Sequence, residues 1–180
     1  MTFTRLDRST PADWDRIAHE SVEAWAIVPD RILGMLRSLA GITTGFAVDQ
    51  LVHGLQTATR AERAGADDDL VVAALCHDIG KAISEPNHPA VAAALLTPYV
   101  REEVAWVVLV HQDFQGRHYY AHLGKDPSAR DRHRDGPAYP LAERFADEWD
   151  RASFDPDYAT LPLEFFEPLV RSTFAAPRRL

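Results

Sequence analysis

The sequence predicts an all-α protein, and three observations carry that reading. Apolar residues recur at three- and four-residue intervals through most of the chain, as in Val48, Leu51, Val52, Leu55 and Ala58. Helix-start signals precede several of these runs, the clearest being Thr10-Pro11-Ala12-Asp13. No segment alternates with period two as a half-buried strand would, and no internal repeat is visible.

Taken in order, Thr10 serves as an N-cap with proline at the first helical position and an acid at the third, so a helix runs over about residues 11–25. Pro29-Asp30 starts a second helix carrying Ile32, Leu33, Leu36 and Leu39 at helical spacing. Residues 41–45, rich in glycine and threonine, break the pattern. A third helix follows from Val48 and closes at Gly65, a C′ glycine; it bears His53 and, one turn later, Gln56. Asp67-Asp68-Asp69 puts negative charge at a helix N-terminus, and residues 70–79 are then apolar nearly all round, which predicts a helix at the centre of the fold. Pro86 and Pro89 bracket His88 and place it at the start of the next helix, through Leu96. Residues 101–112 form another apolar helix ending near His111. Between Gln115 and Pro137 the composition turns polar, aromatic and basic, as in a solvated excursion or a lid with positive charge facing a substrate. Helical spacing returns over residues 139–152, and a last amphipathic helix covers about residues 162–174.

The chain has 180 residues, 46% hydrophobic and 26% charged, which suits one soluble domain over residues 1–180. Residues 1–46 supply N-terminal helices, 47–152 the central bundle and 153–180 a C-terminal helix. A formal net charge of −8 argues against nucleic acid or an anionic membrane as the main partner. A small anionic substrate stays open, because bound cations reverse the field locally. The single cysteine, Cys76, precludes an intramolecular disulfide and fits a reducing compartment. Residues 1–8 lack the apolar stretch of a signal peptide, and the longest apolar run, residues 104–110, is too short to span a bilayer. A cytoplasmic location is expected.

The stretch Leu75-Cys76-His77-Asp78-Ile79-Gly80-Lys81 sets two metal-type ligands side by side at the end of an apolar run. Adjacent helical residues point about 100° apart, but an aspartate has two oxygens and can reach one ion beside His77 while bridging to a second. The candidates to complete such a site are His53, His88, His111 and an aspartate near Asp147 or Asp150. Taken singly, each is an ordinary helix residue; together, four histidines and two carboxylates make a nitrogen and oxygen set suited to iron, manganese or zinc. Each comes from a different helix or helix end, as in metal centres inside helical bundles. Six ligands exceed what one four-coordinate ion takes and suit two ions. His19, His122 and His133 read as structural or solvated residues, His118 as the same or a substrate contact, and Cys76 as a small buried hydrophobe.

His53, His77-Asp78, His88, His111 and a late aspartate, in that order on helices, resemble the HD-domain superfamily of metal-dependent enzymes. The resemblance covers most of residues 48–150 and implies an all-α HD-domain bundle with the metal centre in its core. His53-Gly54-Leu55-Gln56-Thr57-Ala58 is similar to a segment of myo-inositol oxygenase and of the phosphonate-associated HD oxygenases, which use a mixed-valent di-iron centre and dioxygen to cleave a C–C or C–P bond. Phe145-Ala146-Asp147-Glu148-Trp149-Asp150 resembles the segment that supplies their last ligand and favours Asp150 over Asp147. The resemblance implies that His53, His77, Asp78 and Asp150 hold one metal, and that Asp78, His88 and His111 hold the other. It gives Lys81 a substrate-binding and catalytic role, and Gln56 a supporting one through a hydrogen bond to a ligand or bound water.

The chain departs from those oxygenases where their substrates are read. Thr43 and Phe46 stand at places of a tyrosine and a glutamate, Gln115 and Phe154 at places of lysines, and Asp147 at that of an arginine. A different substrate is therefore expected, recognised through the basic stretch from Arg117 to Arg134, with Arg117 and His118 as contacts. The expected function is a di-iron (Fe2+/Fe3+) oxygenase with dioxygen as co-substrate, acting on a small, polar, hydroxylated molecule, with anions among the candidates. The alternative is a phosphohydrolase using manganese or another divalent ion on a nucleotide or phosphomonoester; a non-catalytic module that retains the fold is a third.

Overall fold

The computed structural model describes residues 3–179, and every regular element among them is helical. The helices are α1 (Pro11–Trp25), α2 (Val28–Ser38), α3 (Gln50–Arg63), α4 (Asp68–Cys76), α5 (His88–Leu96), α6 (Glu102–Gln115), α7 (Tyr139–Arg144) and α8 (Leu163–Thr173). Short 3₁₀ turns join several of them, and a π-helical turn, Phe145–Asp150, continues α7. No helix among the described residues is long and apolar enough to cross a membrane.

Local chemistry accounts for the helix ends. Thr10 and Asp13 form a reciprocal capping box on α1, the Thr10 backbone N–H donating to Asp13 Oδ2 at 2.9 Å. Asp49 caps α3 and Asp67 caps α4 by accepting from the backbone N–H groups of Val52 and Leu70. Gly65, with φ of +68°, stops α3 as its place in the sequence predicts.

α4 is the central element. All its residues from Asp69 to Cys76 are buried, and it packs against α3, α6 and α8. Leu33, Leu36, Val72, Leu75, Leu96, Val108, Phe114, Phe145, Trp149 and Phe166 belong to one continuous apolar cluster that reaches from α2 to α8. α1 stands apart: its sole fully buried residue is the capping Asp13, and Trp14 and Val22 are half exposed.

Two helix ends differ from expectation by three residues, each for a reason that matters at the site. The apolar helix expected over residues 70–79 ends at Cys76, and Asp78 leaves helical geometry at φ −103°, ψ 7° before a 3₁₀ turn, Ile79–Ala82. Periodicity could not reveal the break, because the residues beyond it are as buried as those before it. The helix carrying His111 runs to Gln115, three residues past the expected end, so His111 lies one turn inside it.

Two glycines bring ligand-bearing segments together. A Cβ on Gly54 would meet the Leu75 carbonyl oxygen at 2.8 Å, so only glycine lets α3 approach α4 this closely. A Cβ on Gly80 would overlap the His88 carbonyl oxygen, so glycine lets the turn after Asp78 sit against the start of α5.

Candidate metal centre

His53 on α3, His77 at the end of α4, His88 opening α5, His111 on α6 and Asp150 closing the π-helical turn converge on Asp78. All six are buried, none more than 4% exposed. The break after Cys76 resolves the geometry of the adjacent pair: once Asp78 leaves the helix, its carboxylate turns to the same point as the His77 ring.

The carboxylate divides its neighbours. Asp78 Oδ2 lies 3.5 Å from His53 Nε2 and 3.6 Å from His77 Nε2, whereas Oδ1 lies 3.0 Å from His88 Nε2 and 3.4 Å from His111 Nε2. Asp150 Oδ1 joins the first side, 3.2 Å from His53 Nε2 and 3.6 Å from His77 Nε2. His53, His77 and Asp150 offer ligand atoms that all lie within 4.8 Å of one another, and so do His77, Asp78 and His111. Asp147, the other late aspartate, points elsewhere and pairs with His118 at 2.9 Å and Arg130 at 3.2 Å. Asp150 closes a π-helical turn, a geometry that concentrates at functional sites.

Each histidine is fixed by the main chain. The Nδ1–H groups of His77, His88 and His111 donate to the carbonyl three residues earlier, of Ala74, Glu85 and Val108, at 2.8, 2.8 and 2.6 Å. His53 Nδ1 donates to the Ser153 carbonyl at 2.9 Å. A carbonyl only accepts, so the proton of each neutral ring is on Nδ1 and all four Nε2 lone pairs face inward. His53 Nε2 and His77 Nε2 then meet at 3.0 Å with no proton to share. Asp78 Oδ1 and Asp150 Oδ2 are buried without a hydrogen-bond donor. A nest of inward lone pairs and orphaned carboxylate oxygens is repulsive by itself and is stabilised by cations. The donor set of four imidazoles and two carboxylates fits two divalent or trivalent first-row ions.

Burial works against ionising Asp78, but cationic neighbours outweigh it, namely His77, His111 and His88 when a proton takes the place of a metal ion on Nε2, together with Lys81, and hold its pKa well below the usual carboxylate value. Asp150 is likewise depressed, burial being overcome by His77 and His53. Both carboxylates are therefore ionised at neutral pH. Burial pushes the Cys76 thiol up to about 12, so it stays protonated and apolar in character.

A cavity of about 460 Å³ opens beside the centre, lined among others by Lys81, His88, Gln112, Gln115, His118 and Tyr119. Lys81 Nζ lies 2.8 Å from Asp78 Oδ2 and donates to Gln50 Oε1 at 3.0 Å. His118 reaches the lining with its ring held by Asp147. Arg117 is exposed and is not on that lining. Nor does the structure bring Gln56 to the ligands: its amide is engaged by the backbone of Asp155, donating to the carbonyl at 2.6 Å and accepting from the N–H at 3.3 Å. Gln56 thereby anchors the segment whose Ser153 carbonyl orients His53.

Much of the expected basic surface is neutralised. Arg130 pairs with Glu143 and Asp147, Arg132 and His133 with Asp113, and Arg134 with Asp131. Of that stretch, Lys125 and His118 reach the cavity, and Arg151, outside it, joins them. Gln115 Nε2 donates to Asp150 Oδ1 at 2.9 Å, and the Phe154 ring stacks on His53 at 4.2 Å. Tyr119 and Lys125, within the stretch expected to face a substrate, line the cavity, whereas nothing in the local sequence pattern of Ser153 or Arg151 marks them, and Gln115 and Phe154 stand out in the sequence only as departures.

Comparison with curated proteins returned no match. The HD domain profile, however, matches residues 51–155, which is more than half of the chain and includes all six converging side chains. HD domains bind divalent metals, and the His/Asp nest contains two groups of side chains that could hold a metal ion; the chain belongs to the HD-domain family.

Proposed function

We propose that the protein is a two-metal HD oxygenase that uses iron and dioxygen to cleave a C–C or C–P bond in a small hydroxylated substrate. The observation that carries the reading is the division of ligands about Asp78, with His53, His77 and Asp150 on one side and His88 and His111 on the other. The His53 to Ala58 segment, similar to that of the di-iron oxygenases, supports iron as the metal. Ions held there supply Lewis acidity and, as iron, the redox capacity that dioxygen chemistry needs.

The protein's own groups complete the site. His88 is the ligand on the cavity wall, whereas His53 is covered by Phe154, so substrate approaches from the His88 side. Lys81 lines the same cavity and presents an ammonium to a substrate oxygen, with Asp78 and Gln50 fixing its position. Gln115 holds Asp150 in orientation.

The test is metal analysis by mass spectrometry of protein purified without oxygen, then electron paramagnetic resonance of the partly reduced sample. Two irons per chain and a mixed-valent signal, with oxygen uptake on adding a substrate, are expected. Protein that takes up no iron and consumes no oxygen with any candidate substrate sinks the reading. A phosphohydrolase is the second reading, favoured by Lys125 and Arg151 on the cavity, neither of which pairs with an acid among the described residues and both of which suit a phosphate. Metal-dependent phosphate release from nucleotides or phosphomonoesters with manganese, cobalt or nickel would establish it instead.

A further inference from the structure

The cavity beside His88 combines two kinds of wall. One is apolar: Phe46, Phe154 and Leu123 line it, Phe46 and Phe154 stack with ring centres 4.5 Å apart, and Phe154 stacks in turn on His53. Phe46 and Leu123 are 48% and 60% exposed, so their apolar surface is open to a molecule in the cavity. The other wall is cationic. Lys125 has no carboxylate within ion-pair distance among the described residues, its ammonium lying 5.3 Å from the Tyr120 ring centre. Arg151 donates through Nε to the Asp147 carbonyl at 2.8 Å, and the rest of its guanidinium meets no acid among the described residues. In a chain of net charge −8, where Arg130, Arg132, Arg134 and Arg144 are all paired with acids, two unpaired cations on one cavity are a local reversal of field. Glu85 is on the same lining, and Lys81 is already engaged by Asp78.

We infer that the substrate is a small organic anion with an apolar portion, its hydrocarbon or ring part lying against Phe46 and Leu123 and its charged group held by Lys125 and Arg151. The inference rests on the metal centre being the catalytic site, though not on which reaction it runs. Phe46 is then the residue that sets specificity.

The test is calorimetric titration of the metal-loaded protein, kept free of oxygen, with phenylphosphonate, methylphosphonate and benzyl alcohol. Phenylphosphonate is expected to bind about tenfold more tightly than either of the others, since it alone uses both walls. Phe46→Ala should remove the preference for phenyl over methyl, Phe46→Trp should keep it, and Leu123→Asn, at an exposed position, should reduce it without disturbing the fold. Joint Lys125→Ala and Arg151→Ala should weaken both phosphonates about tenfold and flatten their salt dependence. Metal content measured on each variant separates these effects from damage to the centre. Equal affinities for the two phosphonates, benzyl alcohol binding as tightly as phenylphosphonate, absence of saturable phenylphosphonate binding, or variants that leave the affinities unchanged would overturn the inference. Selective binding by a protein that takes up no iron and shows no mixed-valent signal would count against the oxygenase reading alone; a mixed-valent iron centre without selective binding would count against this inference alone.

Discussion

The metal nest and the cavity beside it are built by different means. In the nest every imidazole is held by a main-chain carbonyl, and the segments that carry them are locked by the close approaches at Gly54 and Gly80. The cavity wall comes from 3₁₀ turns and from residues such as Phe46, Leu123 and Arg151 that are largely exposed. The nest is therefore pre-organised by backbone, whereas the wall is set by side chains that can be exchanged at little cost to the fold. Chemistry and substrate choice are separable here, which is how one fold comes to serve several reactions.

The strongest way to break that contrast is to remove the shared carboxylate. Asp78→Ala should lose both metals, because each side of the nest loses an oxygen, whereas His111→Ala should mainly weaken one; metal stoichiometry by mass spectrometry decides. Equal retention in the two variants would show that Asp78 does not join the two sides. Gly80→Ala comes next. Its methyl would overlap the His88 carbonyl, and main chain cannot yield as a flexible side chain does. Overpacking of this kind costs about 1–3 kcal/mol, so a lowered melting temperature together with partial metal loss is expected; an unchanged metal count would mean that the His88 side is not positioned from behind. Lys81→Gln is a milder change. Both metals should stay bound while turnover falls on the order of 100-fold, the scale of a lost oxyanion partner, as measured by steady-state kinetics once a substrate is in hand.

The same contrast explains what the sequence disclosed. Histidines and aspartates spaced along apolar helices are legible because few roles other than metal binding use that combination, and the helices themselves follow from 3.6-residue periodicity and capping residues. Asp150 was separable from Asp147 only through resemblance, because a π turn breaks the periodicity by which one face would be read. The end of α4 at Cys76 was hidden for a related reason, as burial continues across the break. Gln56 stands one turn from His53, yet a backbone 99 residues away in sequence claims its amide. The cavity wall was the least legible part. A phenylalanine or an arginine has many uses, and whether Arg130 is neutralised or Arg151 is free depends on which acids the fold brings near them.

The smallest effect lies between the two regions, at Asp147, one turn before Asp150 on the π turn. Burial raises the pKa of this carboxyl, but hydrogen bonds from His118 and Arg130 outweigh burial and leave it below the ordinary 3.8. A group depressed in the folded state contributes stability that is fully present above its unfolded pKa and is lost as pH falls through the folded value. In the metal-free protein, Asp147→Asn should therefore be less stable than the parent by about 1 kcal/mol at pH 6, as expected for a half-buried ion pair. By pH 3 the gap should shrink, because protonation then removes the same charge from the parent. Urea unfolding of both proteins at the two pH values measures it. A gap that stays constant would mean that Asp147 acts through packing rather than charge. A large loss of metal binding in Asp147→Asn at neutral pH would show that the cavity wall and the nest are not separable at this turn.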